Sequence, residues 1–198
     1  MTNYSLLVKI QGQRAIQQLS QQGNKLCLAF GVENGEPKVI ASSSNLAPNI
    51  QIRWNDDYAM AASQSNFMQG AYVEASTDLS PIRPGQTYTL SPDFQGSVND
   101  GGPQGGFRFK NQADRASPVI YRTMGFDKAP IYVGSSQIPR GASQDIKLNN
   151  KVTVWFGSDG QTGTMIDGIY AQSIQIDMSQ RTNAVVNFGD DFRWSLEQ

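Results

Sequence analysis

Acidic side chains are the residues of this sequence whose types and spacing could do chemistry. Asp56 and Asp57 are adjacent, as are Asp190 and Asp191, and Glu74 and Asp177 are further carboxylates. Two carboxyls at a defined separation, one with a raised pKa, could hydrolyse a glycoside. None of these acids has the spacing of an EF-hand loop, and neighbouring carboxylates in a strand point to opposite faces. We therefore predict no catalytic residues and no metal ligands.

Histidine is absent from all 198 residues, and Cys27 is the one cysteine. Serine nucleophiles therefore have no imidazole partner, and the sequence contains no Ser-x-x-Lys motif. A Gly-rich run at 99–106 lacks the Gly-x-x-x-x-Gly-Lys pattern of a phosphate-binding loop. We predict that the protein is not an enzyme and needs no cofactor.

Aromatic rings beside neutral polar and acidic side chains are typical of a site for sugars. An aromatic residue has an apolar body and, in Tyr and Trp, a polar tip, so it can stack on a sugar ring or enter a membrane interface. The aromatic residues lie in or beside strand-like runs, and the polar ones lie in predicted turns or loops. The predicted ligand-binding residues are Trp54, Asp57, Tyr58, Asn99, Asp100, Trp155 and Asp159.

Short apolar runs separated by turn signals must position these residues. Alternation predicts strands at 49–54 and 58–62, while 151–156 is the most β-prone run and 157–160 follows it as a turn. Residues 91–106 are predicted to be a long irregular loop. A narrow apolar stripe predicts one short N-terminal helix, at about residues 12–22, ending near Gly23. The fold class is all-β: a single β-sandwich domain over residues 1–198.

Charge is unevenly spread along the chain, although the net charge is only −1. Residues 81–151 hold nine basic and five acidic side chains, and residues 152–198 hold two basic and six acidic ones. Such a dipolar molecule could stack into a homo-oligomer, and its low charge would also suit a membrane. Basic and aromatic residues interleave between Phe107 and Arg122, but a pI of about 5.4 does not favour nucleic acid as a partner.

The first residues, Met1 to Ser5, have no basic segment followed by a long apolar run. We therefore expect no signal peptide and a cytoplasmic protein, with leaderless release left open. The lead prediction for function is a non-enzymatic, lectin-like protein that binds a glycan through loops at one end of the sandwich. The alternatives are a self-assembling or membrane-active, pore-forming-like β protein and a carboxylate-dependent glycoside hydrolase.

Several short motifs carry a resemblance. The run Lys25–Ala29 follows a short helix, Val152–Phe156 is followed by Thr162–Met165, and Trp194 lies close to the end of the chain. This pattern resembles a group of small, uncharacterised proteins found mainly in fungi, which implies no particular activity. Through Gly31–Asn34 and its overall architecture, the chain is also faintly similar to actinoporin-like and fungal fruit-body lectin β-sandwiches.

Overall fold

The computed structural model describes residues 1–197. Strands take up 52% of the residues and helix 5%, which confirms the all-β class. The elements, in chain order, are β1 (Asn3–Ile10), α1 (Gln13–Gln21), β2 (Lys25–Val32), β3 (Ser42–Ser44), β4 (Asn49–Ser63), β5 (Ser80–Ile82), β6 (Gln86–Leu90), β7 (Gly96–Asp100), β8 (Phe107–Asn111), β9 (Ser117–Met124), β10 (Asp127–Val133), β11 (Ser143–Ile146), β12 (Leu148–Gly157), β13 (Ser173–Asp177), β14 (Asn183–Phe188) and β15 (Trp194–Leu196).

The strands form three sheets. The seven-stranded sheet has the order β10-β9-β4-β1-β14-β15, with β5 paired to β4. The β8 sheet has the order β11-β8-β6-β7, and the β12 sheet has the order β13-β12-β2-β3. Most neighbouring strands are antiparallel, whereas β1 with β14 and β6 with β8 run parallel.

A shared core makes the sheets a sandwich. Successive side chains in a strand point to opposite faces, so Leu6, Val8 and Ile10 of β1 all point inward and are buried. They belong to one hydrophobic cluster with Leu28 of the β12 sheet and Phe109 of the β8 sheet. Burial of each such side chain stabilises the fold by about 1.5–3 kcal/mol, before the entropy cost of ordering the chain.

Strand β2 is buried on both faces, which explains why its sequence reads as a continuous apolar run. Leu26 and Leu28 point into the shared core, whereas Cys27 and Ala29 point outward. Ile40 and Ile166, from the loops that follow β2 and β12, cover this outer face. A strand covered on both sides needs apolar residues at every position.

The single short helix is confirmed at Gln13–Gln21. Ala15 and Leu19 are its buried side chains. It ends as the sequence predicts: Gly23 has φ of 75°, and the N–H of Asn24 donates to the carbonyl of Leu19 at 3.0 Å. This pattern satisfies a carbonyl that the last helical turn leaves without a partner.

Two predicted boundaries differ from the structure. The predicted strands 49–54 and 58–62 are parts of one long strand, β4, which bulges between them. The predicted loop 91–106 contains β7, which pairs with β6 along five residues. The sequence of β7, Gly-Ser-Val-Asn-Asp, has little apolar alternation and does not by itself predict a strand. Its hydrogen-bonded pairing with β6 holds it in the extended conformation.

Among residues 1–197, no helix is long and apolar enough to cross a membrane.

Candidate functional site

A bulge in β4 carries two adjacent carboxylates, Asp56 and Asp57. Trp54 pairs with Met124 and Tyr58 with Arg122, so three residues of β4 lie opposite one residue of β9. The bulge adds two residues to β4. Because this number is even, Trp54 and Tyr58 both point to the inward face. Asn55 stabilises the turn: its side-chain Oδ1 accepts a hydrogen bond from the N–H of Asp57 at 2.9 Å. Bulges redirect side chains in this way next to binding sites.

A second bulge, in β12, has the same pairing pattern. Leu148 pairs with Val32 and Val152 with Phe30, so residues 149–151 lie opposite Gly31 alone. Asn149 Oδ1 accepts the N–H of Lys151 at 3.1 Å, as Asn55 does in β4. Asn150, the middle residue, has φ of 57°, in the left-handed region that Asn tolerates better than most residues.

The two bulges line one cleft where the three sheets meet. The cleft has a volume of about 1020 Å³, at the upper end of the range of about 300–1,000 Å³ typical of small-molecule sites. The seven-stranded sheet contributes polar and aromatic side chains: Tyr4, Asp56, Asp57, Tyr58 and Arg122. The other walls come from the β8 sheet, the β12 sheet and the β5–β6 turn, through Arg83, Gln86, Val98, Phe107, Leu148 and Asn150.

Arg122 is the buried charge of this site. It is 3% exposed, and its guanidinium carbon lies 4.7 Å from the ring centre of Phe30, 4.9 Å from that of Tyr58 and 5.6 Å from that of Tyr4. Nε donates to the main-chain carbonyl of Asn55 at 2.7 Å, which ties β9 to the β4 bulge. Burial lowers the pKa of Arg122, and the nearby Tyr58, Tyr4 and Asp56 oppose this shift.

Asp57 is held in an ion pair at the rim. Lys128 Nζ lies 2.8 Å from its Oδ2, and the hydroxyl of Thr123 donates to the same oxygen at 3.0 Å. The hydrogen bond from Lys128 is the main cause that lowers the pKa of Asp57, and the hydrogen bond from Thr123 adds to it. A carboxylate with a lowered pKa is ionised and accepts hydrogen bonds, for example from hydroxyl groups.

Of the predicted ligand-binding residues, Asp57 and Tyr58 line the cleft, whereas the two tryptophans are buried. Trp54 is 3% exposed and stacks on Tyr4 with ring centres 5.8 Å apart. Trp155 is 7% exposed and packs with Cys27 on the outer face of the β12 sheet. Neither tryptophan offers a ring face to a ligand, because Trp54 points into the shared core and loop residues cover Trp155.

The other three predicted residues lie outside the cleft lining. Asp100 is nearest, since its Oδ1 accepts a hydrogen bond from Gln86 Nε2 at 3.0 Å and Gln86 does line the cleft. Asn99 is exposed on β7, on the face opposite Val98 and Asp100. Asp159 is exposed in the turn after β12. The predicted set is therefore divided between two residues of the cleft lining, two buried tryptophans and three surface residues.

Arg122 lines the cleft but was not among the predicted residues, although the sequence around it indicates a buried charge. It follows the apolar run Val119-Ile120-Tyr121 in a strand whose first six residues are buried. A charged residue on the inward face of such a strand indicates a special role. Gln86 and Asn150 had no comparable signal, because isolated amides occur throughout this polar chain.

Within residues 1–197, no group of three or more Cys, Asp or Glu side chains is placed so that it could hold a metal ion. Comparisons with protein-family models, curated proteins and solved structures found no match for the chain.

Proposed function

We propose that the protein is a non-enzymatic binding protein that takes a glycan in the cleft. The observation that carries this proposal is the cleft itself, where aromatic rings and hydrogen-bonding side chains converge at the junction of three sheets. Sites for small polar ligands combine these features, since the rings provide contact area and a few polar groups fix the orientation.

The hydroxyl of Tyr58 is one of the groups available to a ligand. It has no hydrogen-bond partner among the described residues. It is also not among the buried side-chain polar atoms that lack a partner, so it is exposed to solvent. It therefore reaches the cleft. Its ring is fixed by an edge contact with Phe107, with ring centres 5.2 Å apart, so little side-chain entropy would be lost on binding.

The lowered pKa of Asp57 argues against this residue as the acid of a glycoside hydrolase. A glycoside hydrolase needs a carboxylic acid that stays protonated near neutral pH, and so a raised pKa. Lys128 and Thr123 have the opposite effect on Asp57. A carboxylate so held is suited to accept hydrogen bonds from sugar hydroxyls.

A glycan array with neutral and acidic glycans tests the proposal, followed by calorimetry on each positive glycan. We expect Tyr58→Phe, which removes one hydroxyl, to weaken binding about fivefold to tenfold. Tyr170→Phe, at an exposed tyrosine outside the cleft, is the matched control and should bind as the unaltered protein does. An array without any positive glycan, or equal effects of the two substitutions, would contradict the proposal.

A second candidate is assembly or membrane contact, favoured by exposed apolar side chains on two paired loops. Met68, Tyr72 and Tyr170 are all more than half exposed. The loops are joined by hydrogen bonds, including that from Gly70 N–H to the carbonyl of Met165 at 2.9 Å. Exposed apolar groups that cluster in this way are typical of interaction surfaces.

Light scattering over a range of concentrations and sedimentation with liposomes test this second candidate. We expect growth in particle size or co-sedimentation, and a loss of either in Met68→Ser/Tyr72→Ser. A protein that is monomeric at every concentration and stays in the supernatant when the liposomes sediment would rule it out. A cytoplasmic location remains our proposal on sequence grounds, and cell fractionation tests it.

A further inference from the structure

Arg122 is enclosed in a manner that differs from every paired arginine of this protein. Arg108 and Arg140 form ion pairs with Asp145 and Asp114 on open surface. Arg122 is buried among three aromatic rings, and among residues 1–197 no carboxylate oxygen lies within 4.0 Å of its nitrogens.

Its remaining hydrogen-bond donors have no partner among the described residues. Nε is used by the carbonyl of Asn55, but no atom of the described residues accepts a hydrogen bond from either Nη atom. Among the described residues, the fully buried side-chain polar atoms without a hydrogen-bond partner are Ser43 Oγ and Trp194 Nε1, and neither Nη atom of Arg122 is one of them. The Nη atoms are therefore not sealed in the protein. Arg122 lines the cleft and also a small cavity of about 10 Å³ beside Phe30 and Trp54, and of the two only the cleft has room for a ligand.

The energetics of this arrangement call for an anion. Removing a guanidinium from water is costly unless it is paired. Contacts with three rings and one hydrogen bond offset part of this cost. The two Nη groups form a planar fork that matches the two oxygens of a carboxylate or sulfate, and such pairs are among the strongest hydrogen-bonded contacts.

The surrounding charges allow one anionic group at this position. Asp56 and Asp57 also line the cleft, and Lys128 already neutralises Asp57 through the ion pair at the rim. Arg83 adds a second guanidinium to the lining. A ligand with one oxyanion and several hydroxyls would place the oxyanion at Arg122 and the hydroxyls at the carboxylates.

We propose that Arg122 is the receptor for an oxyanion, a carboxylate or a sulfate, carried by an acidic glycan. This inference rests on the proposed function and names the class of its ligand. The rings of Tyr4, Tyr58 and Phe30 hold the guanidinium in place before binding, so that the ligand does not have to order it.

Matched glycans provide the test. Calorimetry would compare lactose, sialyllactose and 6-sulfo-lactose, with free glucuronate and inorganic sulfate as fragments. The variants are Arg122→Gln, which removes the charge, and Arg122→Lys, which keeps the charge but loses the fork. Arg140→Gln removes an exposed charge outside the cleft and is the control. Circular dichroism of each variant verifies that it is folded.

We expect at least one acidic glycan to bind about tenfold or more tightly than lactose. Arg122→Gln should abolish this preference, Arg122→Lys should reduce it, and Arg140→Gln should leave it unchanged. The sialylated and sulfated ligands decide between carboxylate and sulfate. If Arg122→Gln does not fold, the comparison of acidic and neutral ligands in the unaltered protein and in Arg122→Lys still decides the question.

The two proposals fail in different ways. Equal affinity for lactose and both acidic forms would overturn the oxyanion receptor and leave glycan binding intact. Binding of glucuronate or sulfate alone, lost in Arg122→Gln, with no glycan bound, would support the receptor and overturn the glycan. Absence of binding by every ligand and fragment would overturn both.

Discussion

Asn55 and Asn149 form the same side-chain hydrogen bond in two separate bulges. Each is the first of three residues that lie opposite one residue of the neighbouring strand. The Oδ1 of each accepts the N–H two residues later, at 2.9 Å for Asn55 and 3.1 Å for Asn149. The residues that follow them, Asp56 and Asn150, line the same cleft. The cleft is thus lined by the same local arrangement on two different sheets.

Asn55→Ala and Asn149→Ala should each destabilise the protein by about 1 kcal/mol, because a turn N–H loses its partner. Urea denaturation measures the change. Asn99→Ala is the matched control, since Asn99 is exposed and its side chain makes no hydrogen bond within the described residues. A loss in the control equal to that in the two variants would contradict the role of the bulges.

Gly31→Ala should disturb the second bulge from the opposite strand. A Cβ at Gly31 would overlap Asn149 Oδ1, the atom that accepts the N–H of Lys151. We expect a loss of about 1–3 kcal/mol from the displaced side chain. In Gly35→Ala the new methyl group would meet Val32 Cγ1 at 3.5 Å, an ordinary contact, so thermal unfolding should change little. Equal stability of the two variants would be inconsistent with this contact.

Cys27 should make stability depend on pH at alkaline values. Burial raises the pKa of its thiol from 9.0 to about 11. The unfolded thiol ionises first, so the contribution to stability is complete below pH 9.0 and is lost as pH rises toward 11. The loss is at most about 3 kcal/mol. Cys27→Ala should show a flatter decline in this window, measured by urea denaturation at several pH values.

Tyrosines with raised pKa, such as Tyr88 and Tyr121, titrate in both proteins, so the difference between the two curves isolates the thiol. Parallel curves would show that Cys27 does not titrate as described. Iodoacetamide offers a second measurement, because the folded protein should react at pH 8 only as fast as it unfolds.

The ion pair of Lys128 and Asp57 should affect titration more than stability. Lys128→Met removes the main cause of the lowered pKa of Asp57, so that pKa should rise toward its ordinary value of 3.8. The pair is partly exposed and contributes about 0–1 kcal/mol, which is present above pH 3.8 and lost as pH falls below it. Carboxyl NMR titration measures the shift. An unchanged pKa in Lys128→Met, with Lys151→Met as control, would refute the assignment.

The fold class and the helix could be predicted from the sequence because they depend on local patterns. Alternation of apolar and polar residues in β1 and the stop at Gly23 are readable without knowledge of the partners. Tyr58 and Asp57, which line the cleft, were predicted for a similar reason, since an aromatic residue beside an acid is a local feature. Trp54 lies two residues before Asp56 and is buried in the core, because the strands that cover it are remote in sequence.

Only the tertiary structure decided where the cleft is and what it contains. Arg122 meets the Asn55 carbonyl 67 positions earlier in the chain, and Asn150 reaches the same cleft from another sheet. The sequence by itself determined a histidine-free, strand-rich chain with Asn at turn positions. The packing of three sheets determined which of those turns face each other, because contacts between remote strands leave no periodic trace in either strand alone.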